Sequence, residues 1–257
     1  VSSSMPHQSD QLLQAYHMPI VAPATVGEHL EFGLYGWALS RYSGCWVAFK
    51  ALADTVETSA SVDVDPHRVT TVIPSDFALP EDGLNLRWPD PPLVQEKRLL
   101  HHKLYAALAY ARTNKLNRIT VGDSAIPAKL GIVASGKSYL DVLEALEQLG
   151  ITTQAAADIG VRVFKVAMPW PLEPEGIRDF AQGLDEILVV EEKRQIVEHQ
   201  LKEQLYNWRD DVRPRVIGKF SEKGEWSTQR GDWLLSSKGD FSVAQVAKVI
   251  AARIERF

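Results

Sequence analysis

The stretch Leu130–Gly150, LGIVASGKSYLDVLEALEQLG, carries the residue types of a phosphate-binding loop. Gly131, Gly136, Lys137 and Ser138 fit G-x-x-x-x-G-K-[ST], in which backbone N–H groups cradle a polyphosphate, the lysine neutralises it and the hydroxyl holds magnesium. An acidic signal accompanies it. EILVVEE ends an apolar run on Glu191 and Glu192, loosely like the strand end that binds magnesium in nucleotide hydrolases. Together these residues would make a P-loop nucleotide hydrolase using Lys137, Ser138 and Glu191. A working loop, however, needs its strand before the first glycine. Here the intervening residues are Ile132, Val133, Ala134 and Ser135, three of them typical of a buried strand. Gly131 is therefore expected to open a strand, leaving only the turn SGKS at the head of a helix. Ser135, Gly136, Lys137 and Ser138 remain candidates for a plainer anion turn in an anion-binding α/β module, because the first N–H groups of a helix are unpartnered and its dipole favours negative charge. The plain reading of Glu191 and Glu192 is an ordinary strand end, paired with the KRQ that follows.

Other reactive residue types are sparse. Cys45 is the single cysteine, which excludes an internal disulfide and a four-cysteine metal site, and its setting in GCWVAFKAL reads as a buried strand. His101 and His102 are adjacent on a helical pattern and point about 100° apart, so they cannot share one ion as an i, i+4 pair does. His7, His17, His29, His67 and His199 show no ligand spacing. Arg41 in LSRYSG could bind an anion, but a solvated helix-terminal charge is the favoured reading.

The elements that must position these residues alternate between helix and strand. QLLQAYH reads as a short helix capped by Ser9 and Asp10, and MPIVAP as a brief strand. ATVGEHLEFGLYGWALSRYSG reads as a helix with Val26, Leu30, Leu34, Trp37 and Ala38 at helical spacing, opened by a Thr25/Glu28 capping box and closed by Gly44. CWVAFKAL and HRVTTVIP read as strands. Pro74–Pro92 is a proline-rich connector, expected to be ordered because Phe77, Leu84, Leu86 and Trp88 are costly to leave in water. A long helix follows, with Leu93, Leu100, Leu104, Ala107, Leu108 and Ala111 along one stripe. From Gly131 onward the pattern is regular: GIVAS, VRVFKVAM, EILVVEE and RPRVIGKF read as strands. Between them lie KSYLDVLEALEQLG, with Leu140, Leu143, Leu146 and Leu149 inward, then QAAADIG, PEGIRDFAQGL and KRQIVEHQLKEQLYNW as helices. Strands alternating with helices imply right-handed βαβ units and a mainly parallel sheet. Residues 221–240 read as loop, and a final amphipathic helix is capped by Ser242.

The 257 residues are about 45% hydrophobic and 24% charged, with a net charge of −5. That balance supports one large or two ordinary domains and argues against nucleic acid as a partner. No apolar run is long enough to span a bilayer, and VSSSMPHQSD lacks the layout of a secretory signal, so a cytoplasmic protein is expected.

GIVASGKSYLDVLEAL, GVRVFKVAMPWPLEPEGI, EILVVEEKRQIVEHQLKEQLY and RPRVIGKF resemble the middle of the indolepyruvate ferredoxin oxidoreductase family, and HQSDQ through KALADTVE resembles the latter part of its pyrimidine-binding domain. The resemblance implies an α/β fold. Residues 1–75 would be part of a thiamine pyrimidine-type domain, 76–129 a connector and long helix, and 130–220 a three-layer α/β/α sandwich similar to the transketolase C-terminal domain. Residues 221–257 would be a loop and C-terminal helix. The family oxidatively decarboxylates aryl 2-oxoacids with thiamine diphosphate, magnesium and 4Fe-4S clusters, passing electrons to ferredoxin and the acyl group to coenzyme A. The G-D-G diphosphate pattern is missing, since VGDSA and RGDW lack the second glycine, and the C-x-x-C clusters are missing too. An internal structural and assembly segment is therefore expected, with no catalytic residue, no metal and no cofactor of its own, inactive alone. Its expected partners are other domains or subunits of the same enzyme. Gln8, Ser9 and Asp10 correspond to a Gln–Asp loop near the domain junction and are candidates for facing cofactor or substrate, against a helix-cap role. Exposed apolar surface in an incomplete first half predicts a homo-oligomer.

Overall fold

The computed structural model describes residues 8–65, 67–122, 127–221 and 233–257. His7 and most of the loop expected at 221–240 therefore lie outside the described residues, as do most of VGDSA and of RGDW.

The second half is built on alternating side chains. Strands β3 (Arg118–Val121), β4 (Leu130–Ser135), β5 (Val161–Val166), β6 (Glu186–Val190) and β7 (Arg215–Ile217) form one sheet in the order β3-β5-β4-β6-β7. Strands β5, β4, β6 and β7 are parallel, while β3 adds to the β5 edge in the antiparallel sense. Strand side chains alternate between faces. Leu130, Ile132, Ala134, Leu188 and Val190 therefore pack on one side, with α6 (Gly136–Gln148), α7 (Thr153–Asp158) and α10 (Val243–Ile254). Val133, Phe164, Ile187 and Val189 pack on the other, with α8 (Pro174–Ala181) and α9 (Val197–Leu205). Covered on both faces, the central strands read as unbroken apolar runs. This is the expected three-layer sandwich.

Two details fix its outer helices. Helix α10 opens with a full capping box between Ser242 and Gln245. It is fastened to β6 by Arg253, whose Nε donates to Glu186 Oε1 at 2.6 Å and whose second guanidinium nitrogen reaches Oε2. Helix α6 turns inward Tyr139, Val142, Ala145 and Leu146, with Leu140 and Leu143 only partly covered and Leu149 at the surface. The four-leucine stripe is thus rotated from its expected position. Tyr139 and Val142 meet the sheet instead.

The first half is thinner. It runs α1 (Asp10–Ala15), β1 (Ile20–Val21), α2 (Val26–Ser43), β2 (Ala48–Phe49) and α3 (Ala53–Val56), and its only sheet among the described residues is the parallel pair β1-β2. Ser9 sits at the α1 cap position without a side-chain cap bond. Thr25 caps α2 through the Glu28 N–H at 3.2 Å, but the Glu28 carboxylate accepts from Ala24 N–H and pairs with Lys165, so the capping box is half formed. Gly44 ends α2 at φ 72°, as expected.

The buried face of α2 is Phe32, Gly36 and Leu39, packed against α5 (Leu104–Thr113), whereas Leu30, Leu34 and Trp37 are exposed. Helix α2 is apolar on both sides, so spacing alone does not say which side faces inward. HRVTTVIP forms no strand. Its Val72 backbone is instead held by the Asn114 side-chain amide, at 2.8 Å and 2.9 Å. In the connector Leu84 is buried, but Leu86 is exposed and Trp88 is 93% exposed. The long helix is interrupted: α4 (Pro92–Arg98) and α5 are joined by a π-helical turn at Leu99–Lys103 that holds His101 and His102. The two halves are tied where Ile20 N–H donates to Trp170 O at 2.7 Å and Ala22 N–H to Ala167 O at 2.8 Å.

Candidate functional site

In a parallel sheet, two neighbouring strands whose connections leave toward opposite faces open a crevice at their carboxyl ends. Here those strands are β4, followed by α6 on one face, and β6, followed by α9 on the other. A cleft of about 790 Å3 lies there, lined from β4 by Ser135, Gly136, Lys137 and Ser138, and from β6 by Glu191 through Arg194. The first half forms its opposite wall with Gln8, Ser9, Asp10, Leu13, Phe49, Lys50 and Leu52. The two groups singled out from the sequence, 8–10 and 135–138, thus meet in one cavity although more than 120 residues separate them.

The wall at 8–10 is a clasp. Gln8 Nε2 donates to Arg194 O and Gln8 Oε1 accepts from Arg194 N–H, both at 2.8 Å. The Asp10 carboxylate is buried and takes Lys50 Nζ through both oxygens at 2.9 Å. Lys50 had no signal in the sequence, because its partner lies forty residues earlier with no common periodicity.

The strand ends divide their work. Glu191 is buried and accepts N–H bonds from Ile196, Val197 and Glu198 at 3.0–3.2 Å, so it occupies the N-terminus of α9. Burial raises its carboxyl above the usual range, and those three N–H groups offset part of the rise. Glu192 takes Lys137 Nζ at 3.1 Å and the Phe241 N–H at 3.2 Å. The hydrogen bonds to Glu191 thus come from Ile196, Val197 and Glu198, just beyond KRQ, and Glu192 reaches across to Lys137 and Phe241. Lys137 also reaches Asp141 at 2.8 Å. Burial presses the Lys137 ammonium down, but Asp141 and Glu192 outweigh it and hold the group above the ordinary lysine value. Lys137 is therefore a fixed positive charge and cannot serve as a base. Behind Glu191, the buried ammonium of Lys219 donates to Glu191 O and Ser236 O and is pushed down to about 8 by burial.

The phosphate loop is not built. Ile132, Val133 and Ala134 are buried inside β4, paired with β5 and β6, so no N–H cradle exists between Gly131 and Gly136. Among the described residues no group of three or more His, Cys, Asp or Glu side chains could hold a metal ion. Cys45 is buried and its thiol is pushed up by burial, with Ser43 and Lys103 opposing.

The indolepyruvate ferredoxin oxidoreductase middle domain matches residues 119–257. The chain is similar to indolepyruvate oxidoreductase subunit IorA of Methanothermobacter thermautotrophicus, 27% identical over 190 residues, which cover 72% of this chain and 28% of that one. It therefore spans less than a third of the length of that relative. Among solved structures it is similar to 2-oxoglutarate:ferredoxin oxidoreductase from Magnetococcus marinus, with a TM-score of 0.54 and 13% identity, covering 96% of this chain and 45% of that one. A split-gene transketolase aligns with a TM-score of 0.48 and 13% identity, over 93% of this chain and 58% of that one. No helix among the described residues is long and apolar enough to cross a membrane.

Proposed function

We propose, because the chain belongs to the indolepyruvate ferredoxin oxidoreductase family, that it is the scaffold and assembly segment of a larger cytoplasmic enzyme that oxidatively decarboxylates an aryl 2-oxoacid. Thiamine diphosphate and 4Fe-4S clusters would supply the bond cleavage and electron transfer in that enzyme, with ferredoxin and coenzyme A as acceptors. This chain's residues do not fit those groups. A 4Fe-4S cluster takes four thiolates and the chain has one cysteine, already buried. The glycine pair that frames a thiamine diphosphate site is absent from the sequence. Its own contribution is rigid surface.

The observation that carries this reading is the family match together with the outward apolar face of α2. Leu30, Leu34 and Trp37 stand one helical turn apart and exposed, and Trp46, shortly after the helix, is 80% exposed. Contiguous apolar surface of that kind marks a contact with another domain or subunit. On its own the chain is expected to self-associate through it. The domain division at about residues 75 and 130 accompanies this reading, with 130–220 as the transketolase C-terminal-like unit.

Ferredoxin reduction with indolepyruvate and coenzyme A tests it. The isolated chain is expected to give none, while a longer polypeptide that contains it turns over. Reduction by the isolated chain would refute the scaffold role.

A further inference from the structure

The cleft between β4 and β6 sets unpartnered donor groups beside carboxylates that already have partners. Each carboxylate lining it has its partners: Asp10 holds Lys50, Glu192 holds Lys137 and Phe241 N–H, and Glu191 holds three N–H groups of the α9 N-terminus. The donors are not all matched. Helix α6 has 13 residues and its first N–H groups have no intrahelical partner, nor does the Ser135 side chain supply one. By contrast, α2, α7, α8 and α10 each receive a side-chain cap. Two hydroxyls sit at the same turn. Ser135 Oγ is buried without a hydrogen-bond partner among the described residues. Ser138, only 5% exposed, lines the cleft, and no side-chain hydrogen bond satisfies it among the described residues. The Ser135 hydroxyl, left unpaired at a cost of about 1–3 kcal/mol, can donate, and the free N–H groups of α6 can only donate, so the group that satisfies both is an acceptor.

The rest of the lining says what that acceptor is attached to. Leu13, Met18, Phe49, Leu52 and Ile196 give the same cavity an apolar wall. The volume, about 790 Å3, is that of a small-molecule site rather than of a single ion. We propose that the cleft binds a small organic anion, its carboxylate or phosphate group at the Ser135–Ser138 turn and its apolar body along the wall from Leu13 to Ile196. The positive end of α6 favours an anion there, while the charge of Lys137 is matched by Asp141 and Glu192. This inference goes beyond the scaffold reading and does not depend on it, because it concerns binding by this chain and not turnover by the larger enzyme.

The full chain is titrated with phenyl phosphate, benzoate, inorganic phosphate and benzamidine, following the melting temperature and the heat of binding. At least one of the two aromatic anions is expected to raise the melting temperature at about 10 mM, by mass action on the folded state. The better of the two identifies the headgroup. Inorganic phosphate is expected to bind at least about tenfold more weakly than the better aromatic anion, since it cannot use the apolar wall. Benzamidine, a cation of similar shape, is expected to have no effect. Ser135→Asp places a carboxylate at the α6 cap position and should occupy the turn from within, raising the melting temperature while weakening the aromatic anion at least about tenfold. Should that variant fail to fold, Ser138→Ala is expected to weaken binding about fivefold by loss of one donor. No response to either aromatic anion, an equal response to benzamidine, or unchanged binding in both variants would overturn the proposal. Inorganic phosphate binding as tightly as the aromatic anions would overturn it as well.

Discussion

Strand β2 and the central strands of the five-stranded sheet are built from similar residues and end in different states. In β4 and β6 every residue from Leu130 to Ala134 and from Glu186 to Val190 is buried, because each strand has neighbours on both edges and helices on both faces. In β2, Ala48 is half-buried and Phe49 exposed. Helix α2 repeats the contrast, with one apolar side against α5 and a second apolar side facing outward, while α6 buries one stripe and leaves charge on the other. Burial therefore follows the number of layers available and not local hydrophobicity. A chain segment with two apolar faces and one layer is a segment with a contact still to make.

Three experiments bear on that contrast. The largest effect is expected at the joint between the two regions. Lys165 on β5 and Glu28 at the head of α2 form a buried pair, with the ammonium also 4.5 Å from the Tyr139 ring centroid. Lys165→Met should cost about 3–5 kcal/mol, because it leaves the Glu28 carboxylate buried without its cation. Urea unfolding would measure the loss, and a cost near zero would mean that the first half is not held by the sheet.

An intermediate effect belongs to the second region alone. Burial lowers the Lys219 ammonium to about 8 in the folded chain, below its unfolded value, so the folded state releases this proton first. Between about 8 and the ordinary lysine value the unfolded state then binds more protons, and stability must rise with pH through that window. Unfolding free energies of the natural chain and Lys219→Met, compared across it, should diverge in favour of the natural chain as pH climbs. Parallel curves would place the ammonium in contact with water.

The smallest change in stability is expected in the first region. Leu34→Ser with Trp37→Ser should alter unfolding by no more than about 0.5 kcal/mol, since both side chains are already exposed. The same pair should abolish self-association in light scattering. Retained association would move the contact to another surface.

Much of the second half was legible in the sequence because unbroken apolar strands alternating with amphipathic helices there agree with the tertiary layers. Ser242, Gly44 and the strand at Ile132–Ala134 are where local chemistry predicts them. The α2 stripe misled for the reason given above: with both sides apolar, spacing carries no direction. HRVTTVIP has β-branched residues but no neighbouring strand to pair with, and a single asparagine side chain takes the place of a ladder. The cleft was half legible. Residues 8–10 and 135–138 stood out separately, yet their meeting depends on the order β5-β4-β6, which no local pattern encodes. Lys50 was silent, and Lys137 and Glu192 stood out singly without any sign of their ion pair.

One face of the five-stranded sheet is finished by α10, which enters the sequence after every strand and is clamped to β6 through Arg253 and Glu186. During synthesis the sheet's strands thus leave the ribosome before their last cover does. Until residues 243–254 follow, that face lacks its last helix, so the nascent chain passes through an interval in which part of this core cluster is open to a chaperone.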